Sequence, residues 1–143
     1  VIQDYQLLVN GKPAQVMCHS GDRIDILLRI VFREDVHNPI LGLTLKTSDG
    51  IVVYGANTRD RELDVRPGMA GSEMLVHYSF DIDVIGGDYF ISLGLADDDE
   101  QKDNLAVDRR YDLIHLPVRA EHTDFGISAL NMAITIDQDS ALL

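Results

Sequence analysis

The chain has 143 residues, with 24 acidic side chains against 12 Lys and Arg and a formal charge of −12. A chain of this length forms one domain that buries roughly 70% of its unfolded surface, so its core needs no staple. The charge excludes a phosphate backbone or an anionic membrane surface as partner, because both would repel it.

Hydrophobic residues at 45% and charged residues at 25% give the balance of a folded domain rather than of a disordered tail. The lone Cys18 cannot close an internal disulfide, so the fold does not depend on an oxidising compartment. No apolar run approaches the roughly 18 residues of a membrane-spanning helix, and no basic start with an apolar stretch marks a signal peptide. The chain begins Val1-Ile2-Gln3 without Met, the start expected of a fragment or a processed product.

Taken in order, the segments alternate with a period close to two, the signature of half-buried strands. Weak strands are predicted at Tyr5–Asn10 and Ala14–His19, separated by Asn10-Gly11. Gly21-Asp22 then opens the clearest one, Arg23–Phe32. Ile24, Ile26, Leu28, Ile30 and Phe32 share one face of it, and Arg23, Asp25, Leu27, Arg29 and Val31 share the other. After His37-Asn38-Pro39, Leu41, Leu43 and Leu45 alternate with Gly42, Thr44 and Lys46. Asp49-Gly50 predicts a hairpin into a further strand at Ile51–Ala56, because a tight turn with matching twist needs positive φ.

Beyond Arg66-Pro67-Gly68 the alternation returns at Glu73–Ile82. Met74, Val76, Tyr78, Phe80 and Ile82 stand opposite Glu73, Leu75, His77, Ser79 and Asp81. Gly86-Gly87-Asp88 leads into Tyr89–Ala96, and the acidic run Asp97–Asp103 is a solvated loop before a strand at Arg110–Val118. Residues 121–143 form a terminal strand or tail. Ile127, Leu130, Met132, Ile134 and Ile136 line one face of a last strand or pack on another subunit, and Ala141-Leu142-Leu143 frays. Eight or nine short antiparallel strands without intervening helices predict an all-β, two-sheet sandwich, with a closed barrel as the competitor.

Signatures of catalysis are missing. The chain has no phosphate-cradling Gly-x-x-x-x-Gly-Lys loop and no Gly-x-Ser-x-Gly elbow. Cys18 and His19 are no dyad, since neighbours on a strand point to opposite faces, and Cys18 reads as a small buried hydrophobe. His19, His37, His77, His115 and His122 show no ligand spacing, so no metal and no cofactor is expected. Asp97-x-Asp99-x-Gln101, with Asp108 at the twelfth position, resembles a calcium loop. It has Lys102 where the sharp turn demands Gly. Two distant acids converging for glycoside hydrolysis would leave no local motif, and none is present.

Three segments together carry a resemblance. His37-Asn38-Pro39-Ile40-Leu41-Gly42 leads through Asp49-Gly50 to Gly55-Ala56-Asn57-Thr58; Phe80-Asp81-Ile82 leads into Gly87–Asp97; and Gly21-Asp22 precedes the long strand. In order and spacing, over roughly residues 5–120, they resemble the C-terminal domain of the ATPase subunit (Wzt type) of bacterial O-antigen polysaccharide ABC exporters.

That resemblance implies an immunoglobulin-like β-sandwich occupying residues 1–143. It would bind the finished polysaccharide without catalysis, by its modified non-reducing end, and so select it for export. It implies further partners: a nucleotide-binding domain of the same full-length protein, and a second copy forming a homodimer that exchanges the terminal strand. The implied location is the cytoplasmic face of the bacterial inner membrane, as part of a transporter and without direct membrane binding. Asn57, Thr58, Gly42, Gly87 and Asp88 read as turn and packing residues.

The face opposite the core row supplies the candidate carbohydrate-binding residues. Arg29, Asp25, His77 and Ser79 come together there if Arg23–Phe32 pairs antiparallel with Glu73–Ile82, and the Arg29 fork would meet an anionic cap. Leu27, Val31 and Leu75 on that face suit a surface covered by a dimer partner equally well. The second sheet offers Tyr54, Thr44, Lys46, Phe90 and Ser92 outward, with Tyr54 as its candidate. A different class of function is a strand-exchanging adhesion or structural sandwich with calcium in the acidic loop.

Overall fold

A computed structural model describes residues 1–13, 18–98 and 105–138. The expected strand at Ala14–His19, the acidic run and the Ala141–Leu143 end lie wholly or partly outside these residues. Asn10 and Gly11, both at positive φ, turn β1 (Ile2–Val9) into β2 (Lys12–Pro13). Next come β3 (Cys18–His19) and β4 (Arg23–Val31), then β5 (Pro39–Thr47) and β6 (Val52–Asn57), joined through Asp49-Gly50 with Gly50 at φ 82°. β7 (Glu73–Asp81), β8 (Gly87–Asp97) and β9 (Leu105–Arg119) complete the order.

One sheet runs β2-β1-β4-β7 and the other β3-β9-β8-β5-β6. Every pairing is antiparallel except β3 with β9. The sheets end in open edges, so this is a sandwich and not a closed barrel. In immunoglobulin terms β1, β4 and β7 stand as strands A, B and E, facing β5, β6, β8 and β9 as C, C′, F and G.

The period-two rows explain why the sheets close on each other. Ile24, Ile26, Leu28, Ile30 and Phe32 of the β4 row meet Leu41, Leu43 and Leu45 of β5 and Tyr89, Ile91, Leu93 and Leu95 of β8 in one buried cluster. Each such side chain contributes roughly 1.5–3 kcal/mol on leaving water. Cys18 is buried as a small hydrophobe among them, and burial pushes its thiol up to about 11. Gly68 lets the Phe32 ring lie against the loop: a Cβ there would stand 2.3 Å from the ring.

At one end a polar clasp ties the sheets. Asp108 accepts from the Ile2 amide at 2.8 Å and from Arg110 Nε at 2.9 Å, and Arg110 also donates to the Ile2 carbonyl. Burial works against the Asp108 charge, but Arg110 and the Ile2 amide outweigh it and hold the carboxyl below its ordinary range.

Of the two alternatives for residues 121–143, a strand of this chain's own sheets does not form among the described residues. Val84 and Ser128 form an isolated bridge, and no strand follows through residue 138. The nine strands are reached through the short β2 and not through the tail. Leu130, Met132, Ile134 and Ile136 are three-quarters exposed or more.

Candidate functional site

β4 and β7 pair in the register that puts Asp25 beside Ser79, Leu27 beside His77 and Arg29 beside Leu75. β1 adds Leu8, Gln6 and Asp4 to the same three rows. The inward rows of all three strands are apolar, so the outward rows meet solvent as one face. Asp4, Gln6, Leu27, Arg29, Leu75 and His77 border a shallow open depression of about 510 Å³ on it.

The centre of this face is a carboxylate with two donors. His77 Nε2 lies 2.6 Å and Ser79 Oγ 2.7 Å from the same Asp25 Oδ1. The Ser79 hydroxyl first, and His77 second, hold the Asp25 carboxyl below its ordinary range. An ionised carboxylate only accepts, so both neighbours donate. The Ser79 lone pairs and Asp25 Oδ2 are thereby left as acceptors for hydroxyl groups, with His77 Nδ1 as a further polar atom beside them. Beside them Leu27 and Leu75, the latter 79% exposed, offer apolar surface of the kind the C–H face of a sugar ring covers.

Two candidates stand differently from expectation. The Nε/Nη2 edge of Arg29 is taken: Nη2 and Nε donate to the two Asp4 oxygens at 2.7 and 3.2 Å, and Asp4 raises the guanidinium pKa further. A ligand anion that leaves Asp4 in place meets only the Nη1/Nη2 end of the guanidinium. Tyr54 does not face outward. It is in register with Leu45 of the core row, and its hydroxyl accepts from Arg61 Nη2 at 2.7 Å. It lines a separate cleft of about 530 Å³ where β6 and β7, the uncovered edges, leave the two sheets apart. Asp25, Arg29, His77 and Ser79 thus share one face, and Tyr54 belongs to neither outer face.

Asp4 and Gln6 are the residues of this site that sequence reasoning missed. Their signal was the alternation of β1, whose register against β4 no local motif fixes. The ends of the calcium-like stretch are engaged elsewhere: Asp97 accepts from the His37 and Asn38 amides, and Asp108 belongs to the clasp. No group of three or more ligating side chains gathers among the described residues.

The class this fold defines is the two-sheet, immunoglobulin-like β-sandwich, here with a polar network on the solvent-facing side of one sheet. The comparisons narrow this. The profile of the Wzt C-terminal domain matches residues 1–130, and the chain belongs to that family. The fold is also similar to the crystal structure of the C-terminal domain of wzt, with a TM-score of 0.83 and 28% identity over 96% of this chain and 83% of that one. No curated protein sequence matches the chain. No helix among the described residues is long and apolar enough to cross a membrane.

Proposed function

We propose that residues 1–143 are a non-catalytic carbohydrate-binding domain that takes the O-antigen polysaccharide by its modified non-reducing end and selects it for ABC export. The observation that carries this reading is the Asp25–His77–Ser79 network beside Leu27 and Leu75. It offers several fixed acceptors beside apolar surface on an open face, which suits a hydroxyl-rich ring. Ser79 donates to the Asp25 carboxylate and not to His77, which differs from the Ser–His pairing of nucleophilic catalysis and supports a binding role. The domain works beside a nucleotide-binding domain of the same protein, at the cytoplasmic face of the inner membrane.

The same reading includes a homodimer that exchanges residues 121–143. Its support is complementary exposure. Leu130, Met132, Ile134 and Ile136 form an uncovered period-two row, and the cleft between β6 and β7 is lined by Leu43, Val76, Tyr78 and Phe80. The Tyr78 hydroxyl lies buried there without a partner among the described residues, and burial pushes its pKa up to about 12. A partner's strand in the cleft would cover the apolar wall and supply backbone groups to that hydroxyl.

The test is titration of the chain with the O-polysaccharide of its source bacterium, with and without the terminal modification. Saturable binding that needs the modification, weakened about fivefold or more by His77→Ala with the fold intact, is the expected result. No binding to either form overturns the reading.

A further inference from the structure

The outer face of the five-stranded sheet carries a constellation that the site above does not use. Gly94 of β8 pairs with Gly42 of β5, and Thr44, the next residue outward on β5, pairs with Gly55 of β6. Three glycines therefore adjoin on one face. Their backbones do not call for glycine, since none has a left-handed φ. An added Cβ would meet nothing within 4 Å at Gly94, and only ordinary contacts of 3.6–3.7 Å at Gly42 and Gly55. Glycine inside a strand weakens it, and marks either a bulge, as in the β8–β9 pairing on both sides of Gly94, or close approach by something else.

Two cations and an exposed aromatic ring stand beside this bare strip. Opposite Ser92, β9 bulges: Ile91 pairs with Ile114 but Leu93 with Arg110. The bulge is held by Asp112, at φ 50°, whose amide donates to Ser92 Oγ at 2.9 Å. It lifts Tyr111, 66% exposed, out of the sheet. Lys46 Nζ lies 5.8 Å from the Tyr111 ring centre, and Arg109, in register with Gly94, makes a long 3.5 Å contact to its hydroxyl. Neither cation has a carboxylate partner among the described residues, although the chain carries 24 acids. Asp88 of the same sheet is taken by His115, which stacks on Phe90.

We propose that this face is a second carbohydrate subsite: an anionic pyranose lies on the strip of Gly42, Gly55 and Gly94 beside Tyr111, with its charged group at Lys46 and Arg109. The proposal rests on the glycan-binding reading above and deepens it. It places recognition of an anionic substituent at Lys46 and Arg109, which have no carboxylate partner among the described residues, and away from Arg29, whose Nε/Nη2 edge Asp4 holds.

The experiment is amide NMR of the 15N-labelled chain titrated with glucuronic acid, glucose 6-phosphate and, as the neutral control, glucose. The Gly42, Gly55 and Gly94 amides are expected to shift in a saturable way with the acidic sugars, with glucose about fivefold weaker. Gly94→Gln, which fills the strip without strain, weakens the effect about tenfold at unchanged Tm, and Lys46→Gln brings the acids down to the neutral sugar. Absent shifts, equal shifts with glucose, shifts that survive Gly94→Gln, or shifts produced by protein concentration alone overturn the subsite. Polysaccharide binding that persists in Gly94→Gln but falls in His77→Ala refutes this proposal and leaves the broader reading standing. Polysaccharide that fails to bind the native chain refutes that reading instead.

Discussion

Gly68→Ala probes the packing beneath the candidate face. A methyl at this position would stand 2.3–2.5 Å from three atoms of the Phe32 ring, whereas ordinary contact begins near 3.4 Å. The ring or the loop must retreat by about 1.1 Å, and neither is free to do so. Phe32 is 2% exposed, and Gly68 and Val36 exchange both backbone hydrogen bonds at 2.8–2.9 Å. Overpacking of this kind costs about 1–3 kcal/mol. For a chain of 143 residues this lowers Tm by about 3–10 °C. The assay is thermal and urea unfolding of a double-mutant cycle with Phe32→Leu, which removes the ring the methyl strikes. In that background Gly68→Ala is expected to cost under about 0.5 kcal/mol, leaving a coupling of about 1–3 kcal/mol. Equal costs in the two backgrounds, or a Tm within about 1 °C of the parent for Gly68→Ala alone, would falsify the packing argument.

Further outcomes follow from individual groups. The Asp25 carboxyl titrates below its ordinary value in the folded chain. Its contribution to stability is thus complete above the unfolded pKa of about 3.9 and is lost as pH falls through the lower folded value. Carbon-detected NMR titration should show this, with Ser79→Ala moving the Asp25 midpoint upward; an unmoved midpoint contradicts the assigned hydrogen bond. The Cys18 thiol, raised to about 11 and buried, should resist alkylation at pH 8 in the folded chain and react on unfolding. Met132→Asp with Ile134→Asp should convert a dimer into a monomer in analytical ultracentrifugation, and an unchanged dimer would remove the tail from the interface. Asp4→Ala frees the Arg29 fork, so it should raise affinity for sugar phosphates at the β1–β4–β7 face, as measured by calorimetry.

Much of this molecule was legible in the alternation of its residues. The rows Ile24 to Phe32 and Met74 to Ile82 fixed which side of each strand is inward, and that alone brought Asp25, His77 and Ser79 to one face once the strands paired. Pairing partners at a distance were not legible. The Asp4–Arg29 bond depends on the β1 register, which is set by packing against β4 and not by a local motif. Tyr54 misled because Ile51-Val52-Val53 is a continuous apolar run without clean alternation, and its direction came only from its pairing with Leu45. The tail could be read as a strand or as a segment packed on another subunit, because its apolar period suits both. A period states what a segment can pair as, and a partner edge must still be present for a strand to form.

If the proposed second copy fills the gap between β6 and β7, concentration becomes a variable of stability. Folding and association are then one equilibrium, and Tm rises with the amount of protein present. Each tenfold increase then adds about 1.4 kcal/mol per mole of dimer. An exporter subunit that meets its twin at the membrane would gain rigidity in this domain at the place of assembly, while a solitary copy would keep the flank open and its sheets less firmly joined.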